Sequence, residues 1–274
     1  MPETTGFSQR TIRALLGLVV LGLAGAAIIL NLPSGPSGPL GGQPMPTLFA
    51  KARLGLIDRL ATAPKARADI AFSRWVRAHP ARDDAGFSRY VLATVGGPPS
   101  GAVQHDELLA LHRIDAARTP AGVAAATWLE AHGKKDVWKL FDKQYGAFVA
   151  KPEAKQSAAV FKATYKLGNL LAAQGKAHFG RPSPYIADPS LHALNQQRFV
   201  KKFSYPAKHA VLSFALSSVL SHYEPERAGE YRWMTDEVAF SRLYAGGHYP
   251  SDIVAGAYIG TLVALYELHF ASTT

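Results

Sequence analysis

The chain contains no cysteine, which excludes a disulfide framework and any thiolate metal site. It carries no cluster of carboxylates suited to magnesium. His79, His105, His112 and His132 have no partners at ligand or triad spacing, so they read as solvated or capping residues. No stretch alternates apolar and polar residues as a half-buried strand would, and the domain is expected to be nearly all α. Acidic side chains are scarce: 20 Asp and Glu stand against 30 Lys and Arg, a formal charge of +10. That excess suits anionic partners, whether phosphate esters, nucleic acid or a membrane surface, without choosing among them. The 274 residues hold an N-terminal segment and one domain with a full core, and leave little for a second catalytic domain.

What is present begins with Arg10 and Arg13, followed by an unbroken apolar run from Ala14 to Leu30. Its length is near the lower limit for crossing a bilayer, so residues 1–32 are expected to be an export signal or an uncleaved anchor. Ala24-Gly25-Ala26 would serve as a cleavage site, but apolar residues continue through Leu30, which favours the anchor. With the arginines held in the cytoplasm, the rest of the chain would lie outside it, on the periplasmic side, or be secreted there after cleavage. Residues 33–47, rich in Pro, Gly and Ser, read as a linker, and 48–274 as a single domain.

Helical spacing recurs in Leu54, Ile57, Leu60, Ile70, Trp75 and Val76. After the break from Val95 to Gly101, Gln104 or Asp106 opens a further predicted helix, and Val123–Leu129 and Val137–Val149 suggest two more. Val160, Phe161, Thr164, Leu167 and Leu171 form one face of a long helix running to about Gly180, where Pro182 and Pro184 stop it. Glu224–Gly229 is a polar connection before a helix over Tyr231–Leu243. Ile253–Phe270 is apolar on most sides and is expected to be the central core helix, with Gly256 and Gly260 allowing close approach.

The most informative stretch is Ser241-Arg242-Leu243-Tyr244-Ala245-Gly246-Gly247-His248-Tyr249-Pro250-Ser251-Asp252. Arg242 can present a planar fork of donors to an oxyanion, with a charge that does not titrate in a working pH range. The Gly-Gly break lets the chain turn and aim His248 back toward that arginine. Asp252, four residues on, can accept from one imidazole nitrogen and leave the other free to attack. A second anion seat is suggested at Tyr205-Pro206-Ala207-Lys208-His209. With Pro206 in a helix's first turn, the amides of Ala207, Lys208 and His209 would point outward.

The spacing Ser-Arg, five residues, His, three residues, Asp resembles the third motif of the type 2 phosphatidic acid phosphatase superfamily, which includes class A non-specific acid phosphatases and vanadium haloperoxidases. The resemblance covers roughly residues 157–268. The first motif, Lys, six residues, Arg-Pro, aligns on Lys176 with Ser183 in place of the phosphate-binding arginine and Arg181 at an accessory position. A second register would make Arg181-Pro182 the Arg-Pro pair and put Gln174 at the lysine. The second motif, Pro-Ser-Gly-His, keeps Pro206 and His209, with Ala207 and Lys208 replacing Ser and Gly.

The resemblance implies an all-α bundle of the acid phosphatase/vanadium haloperoxidase type and cofactor-free, metal-independent hydrolysis of phosphomonoesters. In that scheme His248 attacks phosphorus and becomes phosphohistidine while Asp252 orients it. His209 protonates the leaving oxygen and then activates water. Arg242, Lys176 and the backbone at Ala207–His209, with Lys208, Arg181 or Ser183, hold the remaining oxygens. Lys208 either supplies the charge missing at Ser183 or is a solvated side chain beside a partly decayed site. The implied partners are a small phosphorylated substrate or a lipid phosphate, and the inner membrane through the N-terminal helix, with no nucleic acid. A lipid phosphatase, a haloperoxidase and an anion-binding member without turnover are the rival readings.

Overall fold

The computed structural model describes residues 45–194 and 203–272. The expected signal or anchor, 1–32, and all but the last three residues of the linker lie outside the described residues. Every regular element described is a helix, and the strand-like pairing among these residues is one isolated bridge between Pro182 and Phe203. The all-α expectation therefore holds.

Three long helices make the frame. α1 (Lys51–Ala78) lays Leu54, Ile57, Leu60, Ala61, Ala68 and Trp75 against the core. Ile70, expected on that face, is 55% exposed, because it sits one residue from Ala71, about 100° round the helix from the buried stripe. α2 (Asp84–Val95) is capped by Asp83, which accepts from the Gly86 N–H at 2.8 Å. α3 (Ala102–Ala116) starts directly after Gly101, two residues before Gln104. α4 (Pro120–His132) and α5 (Asp136–Phe148) replace the two short predicted helices with slightly shifted ends. α6 (Lys151–Phe179) is the long predicted helix and ends at Gly180, whose left-handed φ of 58° stops it. After the single turn α7 (Pro184–Ala187) come α8 (Lys208–Tyr223), α9 (Ala228–Tyr244) and α10 (Pro250–Ala271). α9 begins three residues before the predicted Tyr231, and a 3-10 turn over Pro225–Arg227 takes up part of the polar connection.

α10 is the central core helix, packed most extensively on α8 and α1. It is long and apolar enough to cross a membrane, yet 83% of its apolar window is buried inside the protein. Gly256 and Gly260 make the α8 contact possible. A Cβ at Gly256 would stand 2.6 Å from the Ala210 Cβ, and one at Gly260 would stand 2.5 Å from the Val211 carbonyl oxygen. This close approach brings the start of α10 against the start of α8, where the Ala207 N–H donates to the Asp252 carbonyl at 3.0 Å. Two predicted motifs are thereby locked together by one main-chain bond.

Candidate active site

The site forms where α8, α9 and α10 meet. Arg242 sits in the last turn of α9, and the chain then reverses through Gly246 at φ 73°, where a side chain would be strained and would press on Arg118 and Ala193. The reversal places His248 two residues before α10. There His248 Nδ1 lies 3.2 Å from Asp252 Oδ2, the same oxygen that accepts from the Tyr249 N–H at 2.9 Å. An ionised carboxylate can only accept, so the imidazole proton is on Nδ1 and Nε2 carries the free lone pair. Burial, then the positive charges of Lys176 and Arg242, lower the His248 pKa to about 4, against the pull of Asp252. The imidazole is thus neutral and nucleophilic over most of the pH range.

Asp252 is completely buried. Burial opposes its ionisation, but the hydrogen bonds from His248 and Tyr249 and the charge of Arg181 outweigh this and hold its pKa below the ordinary carboxylate value. Arg181 Nη1 donates to Asp252 Oδ1 at 2.8 Å and to Ser251 Oγ at 2.7 Å, and Nη2 donates to Glu107 Oε2 at 2.7 Å. Its guanidinium lies 3.5 Å above the Tyr249 ring. Glu107 also accepts from the Ser251 N–H at 2.6 Å, fixing the first turn of α10. Burial raises the Glu107 pKa while Arg181 lowers it. Of the two carboxylates sharing Arg181, Asp252 therefore keeps its charge more firmly.

His209, on the first turn of α8, is 8% exposed. Its Nε2 is 3.2 Å from the Glu130 main-chain oxygen, an acceptor, so Nε2 carries the proton. Burial and then His248, Lys134, Lys176 and Lys208 bring its pKa down to about 3. Arg242 is anchored by Ser241 Oγ, which accepts from Nε at 3.0 Å and Nη2 at 2.9 Å, and by the Ala126 carbonyl at 3.2 Å. Its Nη1 is paired with the Glu130 carboxylate. Burial brings the guanidinium pKa down to about 9, so the cation persists at neutral pH.

The remaining predicted residues fall into two groups. Lys176 and Lys208 lie close enough to His209 for their charges to act on it, and Lys176 acts on His248 as well. Lys176 Nζ donates to the main-chain oxygens of Phe203 and Ser204, tying α6 to the segment that leads into α8. Arg181, by contrast, stands behind Asp252 with its side chain 3% exposed and its donors on carboxylates and Ser251. Ser183 is buried and hydrogen-bonded to Tyr185. Ala207 is the N-cap of α8, with Pro206 one position before it rather than in the first turn, and its N–H is used by Asp252. Lys208 and His209 open the first turn of α8. Among the described residues no group of three or more His, Cys, Asp or Glu could hold a metal ion.

Glu107 and Glu130 escaped the sequence reading. Glu107 had a visible signal: with Val103, Ala110 and Leu111 it falls on the buried stripe of α3, and a carboxylate at a core position requires a cation. Glu130 had none.

Residues 158–274 match the model of the PAP2 superfamily. Over 131 residues the chain is 28% identical to a non-specific acid phosphatase of Salmonella typhi, an alignment covering 47% of this chain and 52% of that one. It is also 28% identical over 83 residues to the bacitracin transport permease protein BcrC of Bacillus licheniformis, covering 30% of this chain and 40% of that protein. A transmembrane PAP2 type phosphatidylglycerolphosphate phosphatase from Bacillus subtilis superposes with a TM-score of 0.49 at 19% identity, over 68% of this chain and 93% of that one. The chain spans about half the length of the curated acid phosphatases it matches.

Proposed function

We propose that the protein hydrolyses phosphomonoesters through a phosphohistidine formed on His248, without a metal. The observation that carries this reading is the chain of contacts from Arg181 through Asp252 to His248 Nδ1, which leaves Nε2 as a neutral nucleophile in the neighbourhood of Arg242 and His209. In the first step Nε2 of His248 attacks phosphorus, the N–P bond forms, the P–O bond to the leaving group breaks, and His209, protonated once the phosphate is bound, gives the departing oxygen the proton on Nδ1, the nitrogen not held by the Glu130 carbonyl. In the second, His209 takes a proton from water as that water attacks phosphorus, the N–P bond breaks, and phosphate leaves. His209 is neutral in the empty site because it is buried and because cations surround it; the negative charge of a bound phosphate favours its protonated form.

Arg242 and Lys176 would hold the non-bridging oxygens with the first-turn N–H groups of α8, and Lys208 would add a point charge near the place left by Ser183. In this reading Arg181 acts through Asp252 rather than on phosphate. The excess of positive charge at Arg10 and Arg13 before the apolar run supports a domain outside the cytoplasm, on the periplasmic side.

The experiment is release of inorganic phosphate from an aryl phosphate by the full chain, from mildly acidic to neutral pH, with and without vanadate. Turnover blocked by vanadate supports the reading. A folded protein that binds phosphate without turning over an ester would place it with anion-binding members, and vanadate-dependent halide oxidation would place it with the haloperoxidases.

A further inference from the structure

Glu130 touches two groups of the site at once. Its carboxylate pairs with Arg242 Nη1, and its main-chain oxygen accepts from His209 Nε2 at 3.2 Å. These are the cation assigned above to the phosphate oxygens and the imidazole assigned to the leaving oxygen. The residue therefore stands where a bound ester has to be. The other partners of Arg242 are fixed parts of the frame: Ser241 Oγ, itself bonded to the Val238 carbonyl at 2.6 Å, and the Ala126 carbonyl. Glu130 is different, since its side chain is 23% exposed while that of Arg242 is 3% exposed, so it can swing into solvent without opening the core. It also lies in the last turn of α4, where the helix dipole disfavours a negative charge. Arg242 is what offsets that.

We propose that the Glu130 carboxylate occupies the phosphate seat of the empty protein and that an oxyanion binds by exchange with it at Arg242. This rests on the assignment of Arg242 to the phosphate oxygens. The exchange keeps Arg242 paired and extended at every stage, and it sets oxyanion affinity as a difference between two anions competing for one guanidinium. Its consequence is that removing the competitor strengthens binding.

The test is direct titration of the full chain with inorganic phosphate, followed by calorimetry at constant ionic strength, for wild type, Glu130→Gln, Glu130→Ala and the exposed control Glu226→Gln. Exchange predicts that Glu130→Gln lowers the phosphate Kd at least about tenfold, the scale set by releasing one charge-assisted hydrogen bond. Glu130→Ala moves it the same way, and Glu226→Gln leaves it unchanged. Unchanged or weaker binding in a folded Glu130 variant overturns the proposal, since it would make Glu130 a mere support for Arg242. If those variants still turn over ester through His248, the proposal alone falls. If no variant and no wild type binds phosphate, the assignment of Arg242 falls with it.

Discussion

Arg181 and His248 address opposite oxygens of one carboxylate: Arg181 donates to Asp252 Oδ1 at 2.8 Å, and His248 Nδ1 meets Oδ2 at 3.2 Å. The arginine keeps Asp252 ionised in a fully buried place, and the ionised carboxylate keeps the histidine proton on Nδ1. In the proposed mechanism Arg181 is thus a positioning residue for the nucleophile.

Removing Arg181 leaves two buried carboxylates without their cation. Arg181→Met is expected to cost about 3–5 kcal/mol of stability, the range for breaking a buried pair from one side. Adding Glu107→Gln should return part of the loss. Urea unfolding of the single and double variants checks this, and strictly additive costs would contradict a shared network.

The pH profile follows from the neutral nucleophile. His248 must be unprotonated to attack, and its pKa of about 4 puts the acid limb of kcat/KM near that pH. Lys176 is one of the charges that lowers it, so Lys176→Met should move the limb upward as well as reduce the rate. A limb near the ordinary histidine value in the wild type would show that the imidazole is not buried as described.

Lys208 separates compensation from decay. If its charge supplements the site where Ser183 replaces an arginine, Lys208→Ala should reduce kcat/KM by about tenfold, the value of roughly 1.4 kcal/mol. It should also raise the pKa of His209, which Lys208 helps to lower. Unchanged kcat/KM would mean that Lys208 is a bystander.

Stability should depend on two carboxyls far from the chemistry. Burial raises Asp236 to about 7 and Glu237 to about 8, even though Glu237 Oε2 accepts from the Phe49 N–H at 3.1 Å. Because the folded values exceed the unfolded ones, near about 4, the neutral carboxyls stabilise fully below pH ~4 and that contribution is lost as pH rises toward 8. Glu237→Gln should therefore flatten the fall in Tm between pH 5 and 8 by more than about 3 °C. An unaltered slope would contradict the assignment.

The spacing of Arg242, His248 and Asp252 was readable because all three lie within twelve positions and the Gly246 turn and the start of α10 are local structure. The long helices were readable for the same reason: each writes its own period. What the sequence concealed depends on long-range contact. Nothing local to Arg181 announces Glu107, 74 residues earlier, or turns the guanidinium toward Asp252 instead of the pocket. Glu130 reaches Arg242 only because α4 packs on α9. The Pro206 reading erred by one position because the Ala207 N–H is claimed by a carbonyl at the head of another helix.

The central claim is a phosphoryl group carried by His248. The measurement is rapid mixing with a 32P-labelled aryl phosphate, quenching in alkaline denaturant, in which phosphohistidine survives, and counting protein-bound label in wild type and His248→Ala. Label is expected on the wild type and is lost on acid treatment, with none on the variant, which also has no turnover. Label or undiminished turnover in His248→Ala would contradict the claim.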